Sequence, residues 1–202
     1  MKASRIEKLG EVCDFIGGSQ PPKSTFVYDL SELDETEYVR LIQIRDYKSD
    51  KHVVYISKSR TKKFCTKDDI MIGRYGPPVF QILKGLEGAY NVALMKAVPK
   101  TKEIDSDYLF RFLASPEVQG YIIKLSERAA GQTGVNKQAL HDYPILVPPI
   151  SEQKRIVAIL DQAFADIEQA RAKTKQNLKN ARELFESYLQ KVFSQRGEGW
   201  SE

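Results

Sequence analysis

Residues 151–196 contain neither glycine nor proline, and no other feature of the chain constrains its fold as strongly. Pro148 and Pro149 cannot continue a preceding helix or strand ladder. Ser151 is a capping residue, and Glu152 places negative charge on a first turn whose N–H groups are free. From there the apolar residues recur at alternating steps of three and four: Val157, Leu160, Phe164 and Ile167, then Leu178, Ala181, Phe185, Tyr188 and Val192. This spacing is a heptad seam, so the segment is expected to be one helix, rising about 1.5 Å per residue to a length on the order of 65 Å. A domain of about 150 residues is roughly 35–40 Å across. Half of the rod therefore outreaches its own domain, and a partner has to cover its seam. The alternative, an amphipathic helix folded back on the core, conflicts with that length. Arg171 and Thr174 interrupt the seam once, and polar residues at such positions weaken packing while setting register and partner choice.

The remainder has the make-up of a globular domain. Of the 202 residues 42% are hydrophobic and 10% aromatic, which excludes intrinsic disorder as the class. A formal charge of +4 permits an anionic partner without requiring one. No apolar run approaches the roughly 20 residues of a membrane span. Two cysteines, Cys13 and Cys65, without a signal peptide suggest free thiols in a reducing cytoplasm.

Before the long helix the pattern is first that of strands. Ile6, Leu9, Val12 and Phe15 mark a short structured entry, which residues 17–22, Gly-Gly-Ser-Gln-Pro-Pro, break into a loop. Residues 28–37 carry five acids and no base and read as an exposed turn. Strands are expected over 38–45, with Val39, Leu41 or Ile42, and Ile44 inward, then over 53–56, from 68–76, over 79–83, and as one strand over 89–98. The period then changes to 3.6 for two helices, 106–114 and 116–129, parted at Ser115-Pro116. A polar loop at 131–134, a short turn at 136–140 and a last strand at 143–147 complete the domain. The expected class is α+β: a mixed twisted sheet or partial barrel with packed helices, followed by one long C-terminal coiled-coil helix. The expected organisation is a recognition domain over 1–150, a spacer and dimerisation helix over 151–196, and a frayed tail over 197–202.

Candidates for catalysis are few. His52 and His141 are the only histidines, and neither they nor the two cysteines show a metal-ligand spacing. Glu152-Gln-Lys154 matches the Glu-x-Lys tripeptide of metal-dependent nucleases, yet it lies at a helix start with no strand-borne Asp ahead of it. The glycines at 17–18 and 131–134 fall short of a phosphate-binding loop. No active site, metal or cofactor is expected.

Binding surface remains. Arg45, Lys48, Lys51, Lys58, Arg60, Lys62, Lys63 and Arg74 concentrate in one third of the chain, interleaved with Tyr47, Tyr55 and Tyr75 and with Gln43 and Gln81. Lys and Arg meet phosphates, whereas Arg, Gln and Asn read base edges. A lysine-rich run is by itself most simply a solvated loop. Arg74-Tyr75-Gly76-Pro77 is different, because a stiff, glycine-hinged loop holds a guanidinium beside an aromatic ring. The candidate DNA-binding residues are Lys23, Gln43, Arg45, Arg60, Lys62, Lys63, Arg74, Tyr75 and Gln132. The candidate partner-helix residues are Val157, Leu160, Phe164, Ile167, Leu178, Phe185, Tyr188 and Val192.

Several segments together resemble the specificity subunit of type I restriction-modification systems. They are Leu9-Gly-Glu-Val-Cys-Asp-Phe-Ile-Gly-Gly-Ser-Gln-Pro-Pro22, Asp68-Asp-Ile-Met-Ile-Gly-Arg-Tyr-Gly76, Ala89-Tyr-Asn-Val-Ala-Leu94, Tyr108-Leu-Phe-Arg-Phe-Leu113, Gly131-Gln-Thr-Gly-Val-Asn136 and Pro148-Pro-Ile-Ser-Glu-Gln-Lys-Arg-Ile-Val157. The last is the most specific, and the resemblance runs from residue 5 to about 194. In that family such a unit is one target-recognition domain plus one spacer helix, and the usual subunit carries two of each in tandem, where this sequence carries one. The resemblance implies a non-catalytic role: reading half of a bipartite double-stranded DNA target and docking DNA methyltransferase subunits that use S-adenosylmethionine, with a restriction nuclease subunit able to join. The competing reading is a coiled-coil adaptor whose head binds protein. A methyltransferase fragment is disfavoured by the missing cofactor loop and the missing Asn-Pro-Pro-Tyr-type motif.

Overall fold

The structure, a computed structural model, describes residues 4–31, 34, 36–76, 78–127 and 134–194. Gln132 and the tail 197–202 lie outside the described residues. The chain divides into two compact units, Met1–Arg155 and Ile156–Glu202.

The first unit is a mixed α+β domain. Strand β1 (Arg5–Lys8), one turn of helix α1 (Leu9–Val12) and strand β2 (Cys13–Gly17) form its entry, with Leu9, Val12 and Cys13 buried and Ile6 exposed. Strands β3 (Tyr38–Ile42), β4 (Tyr55–Ser57), β5 (Phe64–Cys65), β6 (Ile70–Gly73), β7 (Gln81–Leu83), β8 (Gly88–Tyr90), β9 (Leu94–Pro99) and β10 (Pro144–Val147) follow. They divide among three hydrogen-bonded sheets: β2-β9-β6-β7, antiparallel throughout; β4-β3-β8-β5, in which β3 and β8 run parallel; and the ribbon β1-β10. Every residue of β6 is buried, as expected of a short continuous apolar run covered on both faces.

The core joins the two larger sheets. Met71 and Leu94 from one pack with Ile42, Cys65 and Tyr90 from the other, and Leu41, Ile56 and Ala89 form a second cluster. Leu41 and Ile42 are both inward residues, because successive side chains of β3 point to opposite faces and each face has its own cluster.

The strands expected over 53–56, 68–76 and 79–83 occupy 55–57, 70–73 and 81–83, the strand 64–65 is not among those expected, and three further differences have a local reason. The strand expected over 38–45 stops at Ile42, where the Asp46 carboxylate accepts the Gln43 backbone N–H at 3.0 Å and winds Ile44–Tyr47 into a 3₁₀ turn. The single strand expected over 89–98 is two strands in different sheets. The Asn91 side chain accepts the Ala93 N–H at 3.1 Å and folds a turn between them. The short turn at 136–140 is helix α4 (Lys137–Asp142), capped by Asn136, whose side chain accepts the Ala139 N–H at 3.0 Å.

Helices α2 (Ser106–Leu113) and α3 (Pro116–Glu127) bury Leu109, Leu113, Val118 and Ile122. Asp105 caps α2 through the N–H groups of Asp107 and Tyr108.

Helix α5 (Ile150–Ser194) is unbroken over 45 residues, about 67 Å at 1.5 Å per residue. The Pro149 carbonyl takes its first N–H groups, those of Glu152 and Gln153, so Ser151 sits within the first turn rather than capping it. Ile167, Leu178, Phe185, Tyr188 and Val192 are exposed along it, as are Ile159, Leu184, Leu189 and Phe193. Leu184 and Leu189 fall at the positions beside the heptad seam and widen the apolar band near the C-terminal end, whereas Ile159 and Phe193 lie farther round the helix. At the seam's polar break Arg171 pairs with Glu168 at 2.9 Å, and the Thr174 hydroxyl donates to the Ala170 carbonyl. No helix among the described residues is long and apolar enough to cross a membrane.

Candidate nucleic-acid interface

Arg74 and Tyr75 open the loop between β6 and β7, and the backbone of Arg74 is pinned on both sides. Its N–H donates to the Ala93 carbonyl at 2.8 Å, and its carbonyl accepts the Val135 N–H at 3.0 Å. Its side chain is held as well: Nη1 donates to the Val92 carbonyl at 3.0 Å, and the guanidinium carbon lies 5.0 Å from the centroid of the Tyr75 ring. Nε is enclosed and makes no hydrogen bond among the described residues. With Nε enclosed and Nη1 held by the Val92 carbonyl, Nη2 is the guanidinium nitrogen left without a hydrogen-bond partner among the described residues, in a side chain that is only half buried.

The far end of this loop is fixed by Phe80. It is fully buried with φ of +60°, a conformation that a bulky residue adopts only when its surroundings enforce it. Its N–H bonds the Gly73 carbonyl at 2.9 Å, and its own carbonyl accepts from Gln119 Nε2 at 3.2 Å. Nothing in the sequence pattern distinguishes Phe80 as an anchor. Gly76, with φ of +93°, supplies the turn.

Long-range hydrogen bonds bring other candidate segments to the same edge. Ser19 N–H donates to the Tyr90 carbonyl at 3.1 Å, and the Ser19 and Thr61 hydroxyls lie 2.8 Å apart. Tyr90 N–H donates to the Lys63 carbonyl at 3.2 Å, and Asn91 N–H to the Ile42 carbonyl at 3.1 Å. Gly18 crosses so close to this junction that a Cβ there would lie 2.1 Å from the Asn91 carbonyl oxygen. Segments 17–19, 61–63 and 91–93, the end of β3 at Gln43, and Arg74 thus form one continuous rim. It carries Lys62, exposed, and Lys63, half buried.

The remaining candidates have other local partners. Lys23 lies exposed in the 3₁₀ turn Lys23–Thr25, beside a cavity of about 300 Å³ bounded by Ser24, Thr25, Tyr38, Ser57 and Arg60. Arg45 reaches the His52 carbonyl at 3.4 Å and flanks the buried Asp46 at 3.9 Å. Arg40 stands 3.8 Å from the same carboxylate, whose pKa burial nonetheless raises above the ordinary value. Gln43 Nε2 is enclosed and has no hydrogen-bond partner among the described residues. Gln81 turns its amide to the Pro78 carbonyl at 3.0 Å.

As a catalytic centre the surface has little to offer. Among the described residues no three His, Cys, Asp or Glu side chains gather to hold a metal ion. Cys13 and Cys65 are buried free thiols, which burial pushes up to about 12 and about 11. Glu152 spends its carboxylate on Arg155, 2.7 Å away, and this pair holds its pKa below the usual value.

Known proteins of similar sequence carry the same theme. The chain is 29% identical over 180 residues to the type I restriction enzyme EcoBI specificity subunit of Escherichia coli, covering 82% of this chain and 36% of that one. It is 25% identical over 155 residues to the MjaVIII specificity subunit of Methanocaldococcus jannaschii, covering 77% and 34%. Among solved structures, a chain from work on complex assembly and conformational transition of the type I R-M system aligns with a TM-score of 0.65 and 26% identity, over 90% of this chain and 44% of that one. The chain thus spans only about a third of these curated relatives and less than half of the solved chain. The type I restriction modification DNA specificity domain matches residues 1–180, and the chain therefore belongs to that family, whose general role is recognition of a DNA target rather than catalysis.

Proposed function

We propose that this chain reads one half of a bipartite double-stranded DNA target and docks DNA methyltransferase subunits of a type I restriction-modification complex, which a restriction nuclease subunit joins. The observation that carries DNA reading is the double pinning of Arg74. A guanidinium fixed by the Val92 carbonyl and the Tyr75 ring, on a backbone bonded at both N–H and carbonyl, meets a base edge without first being ordered. Such preorganised forks suit guanine O6 and N7. Lys62 and Lys63, on the adjoining rim, suit phosphates. The chain itself supplies no cofactor chemistry in this reading, and S-adenosylmethionine belongs to the methyltransferase partner. The complex works where the chromosome lies, in the cytoplasm.

The exposed band of α5 is assigned to self-association. Ile167, Leu178, Phe185, Tyr188 and Val192 present more apolar surface than one chain covers, and a second copy pairing along the seam forms a homodimer. The adaptor alternative, in which the head binds protein, separates from this reading by salt. Gel-shift titration against duplex DNA at two salt concentrations is expected to show a log-log slope of about −0.9 per phosphate neutralised. A head without affinity for duplex DNA at low salt would overturn the proposal.

A further inference from the structure

Tyr75 is held against a residue whose importance lies in having no side chain. A Cβ on Gly134 would lie 2.7 Å from Tyr75 Cε1, 3.0 Å from Cδ1 and 3.2 Å from the Arg74 carbonyl oxygen. The backbone at Gly134 does not have the positive φ that would itself demand glycine. The next residue, Val135, donates the N–H that pins the Arg74 carbonyl. Segment 134–138 and the Arg74-Tyr75 pair line an open cavity of about 600 Å³.

We infer that Gly134 is a specificity-positioning residue: its missing side chain seats the Tyr75 ring, and the ring seats the Arg74 guanidinium that reads the target. This rests on the assignment of Arg74 to base reading. A methyl group at position 134 meets ring carbons rather than open solvent, and the Arg74 carbonyl oxygen at 3.2 Å leaves it little room to move aside. The ring has to shift. Because the guanidinium lies over that ring and its only other tether is Nη1 to Val92, the remaining nitrogen, Nη2, turns with the ring. Gly134 touches no DNA in this account and acts entirely through Tyr75.

The test compares Gly134→Ala, Arg74→Ala, Tyr75→Ala and the Tyr75→Ala/Gly134→Ala double variant of the full chain. Two duplexes are titrated: one carrying the motif methylated in cells that express the wild-type system, and a scrambled duplex of equal composition. Gly134→Ala is expected to lower the specific-to-nonspecific affinity ratio about 10-fold, as Arg74→Ala does, while leaving the nonspecific affinity unchanged. In the Tyr75→Ala background, where the methyl has room, it should add nothing. That background also carries the comparison should Gly134→Ala alone lower the melting temperature. An effect of equal size in both backgrounds overturns the inference, since it would mean a general disturbance of the loop. So does an unchanged ratio for Gly134→Ala when Arg74→Ala lowers it, which leaves the reading of Arg74 intact. If Arg74→Ala itself leaves the ratio unchanged, the base-reading assignment fails and the inference falls with it.

Discussion

The side-chain oxygen of Gln153 accepts the backbone N–H of Asp105 at 2.8 Å, joining the first turn of α5 to the residue that caps α2. The amide nitrogen of the same fully buried glutamine donates to the carbonyls of Glu103 and Pro148, each at 2.7 Å. Replacing it by leucine leaves three buried backbone groups without their side-chain partner. Gln153→Leu is therefore expected to cost about 3 kcal/mol of unfolding free energy, measured by urea denaturation. Gln153→Glu should be at least as damaging, since a carboxylate cannot donate to the two carbonyls. A loss under about 1 kcal/mol for either variant would mean that these bonds are replaced by water.

Arg74 and the lysines of the rim should separate in their effects on DNA. Arg74→Ala is expected to reduce binding to the target duplex by about 1–3 kcal/mol while changing nonspecific binding little. Lys62→Ala and Lys63→Ala should weaken both alike and each reduce the salt slope by about one unit. Uniform losses for all three variants would make Arg74 a phosphate contact.

The apolar band of α5 makes oligomeric state a direct test. The chain is expected to sediment as a dimer at micromolar concentration, and Leu178→Glu with Phe185→Glu to give monomer, because both residues lie exposed on the seam. A wild-type chain that remains monomeric would remove the homodimer.

A homodimer closed by a two-fold axis reads an inverted repeat. Methylation-sensitive sequencing of DNA from cells carrying the system should then show two identical half-sites in inverted orientation with a gap between them. A helix of 45 residues limits the separation of head attachment points in an antiparallel pair to about 20 base pairs. Two different half-sites would mean pairing with a second, different specificity chain, and a contiguous motif would exclude the antiparallel arrangement.

The two thiols should be chemically quiet. With Cys13 pushed up to about 12 and Cys65 to about 11 by burial, no more than about one molecule in a thousand carries a thiolate at pH 8. Iodoacetamide is expected to modify neither in the folded chain and both in denaturant. Each folded pKa lies above the ordinary thiol value of 9.0. Their contribution to stability is thus complete below about pH 9 and declines as pH rises toward 11 and 12. Rapid labelling of the folded chain at pH 8 would show that one of these thiols is accessible.

The local features of this chain were legible in its sequence. Heptad spacing, broken once at Arg171 and Thr174, together with the absence of glycine and proline marks α5 to within two residues at its C-terminal end, and 3.6-residue spacing with a Ser-Pro break marks α2 and α3. Both are short-range patterns, each set by how a helix repeats. That Arg74 stands beside an aromatic ring was readable from the sequence, but the Ala93, Val135 and Val92 groups that pin it come from distant segments. Tertiary structure decided what those patterns cannot encode. Whether 89–98 is one strand or two depends on the Asn91 N–H finding the Ile42 carbonyl, nearly fifty residues away, while the Asn91 side chain folds the turn. Both Leu41 and Ile42 are buried because separate clusters cover the two faces of β3, a fact alternation along one strand does not contain. Gln153 reads in sequence as a polar residue on a polar helix start, yet three backbone groups of other segments make it fully buried. Gly134 and Phe80 likewise acquire their roles only from what folds against them, because side-chain space and enforced backbone conformation are properties of the packed neighbourhood rather than of the residue.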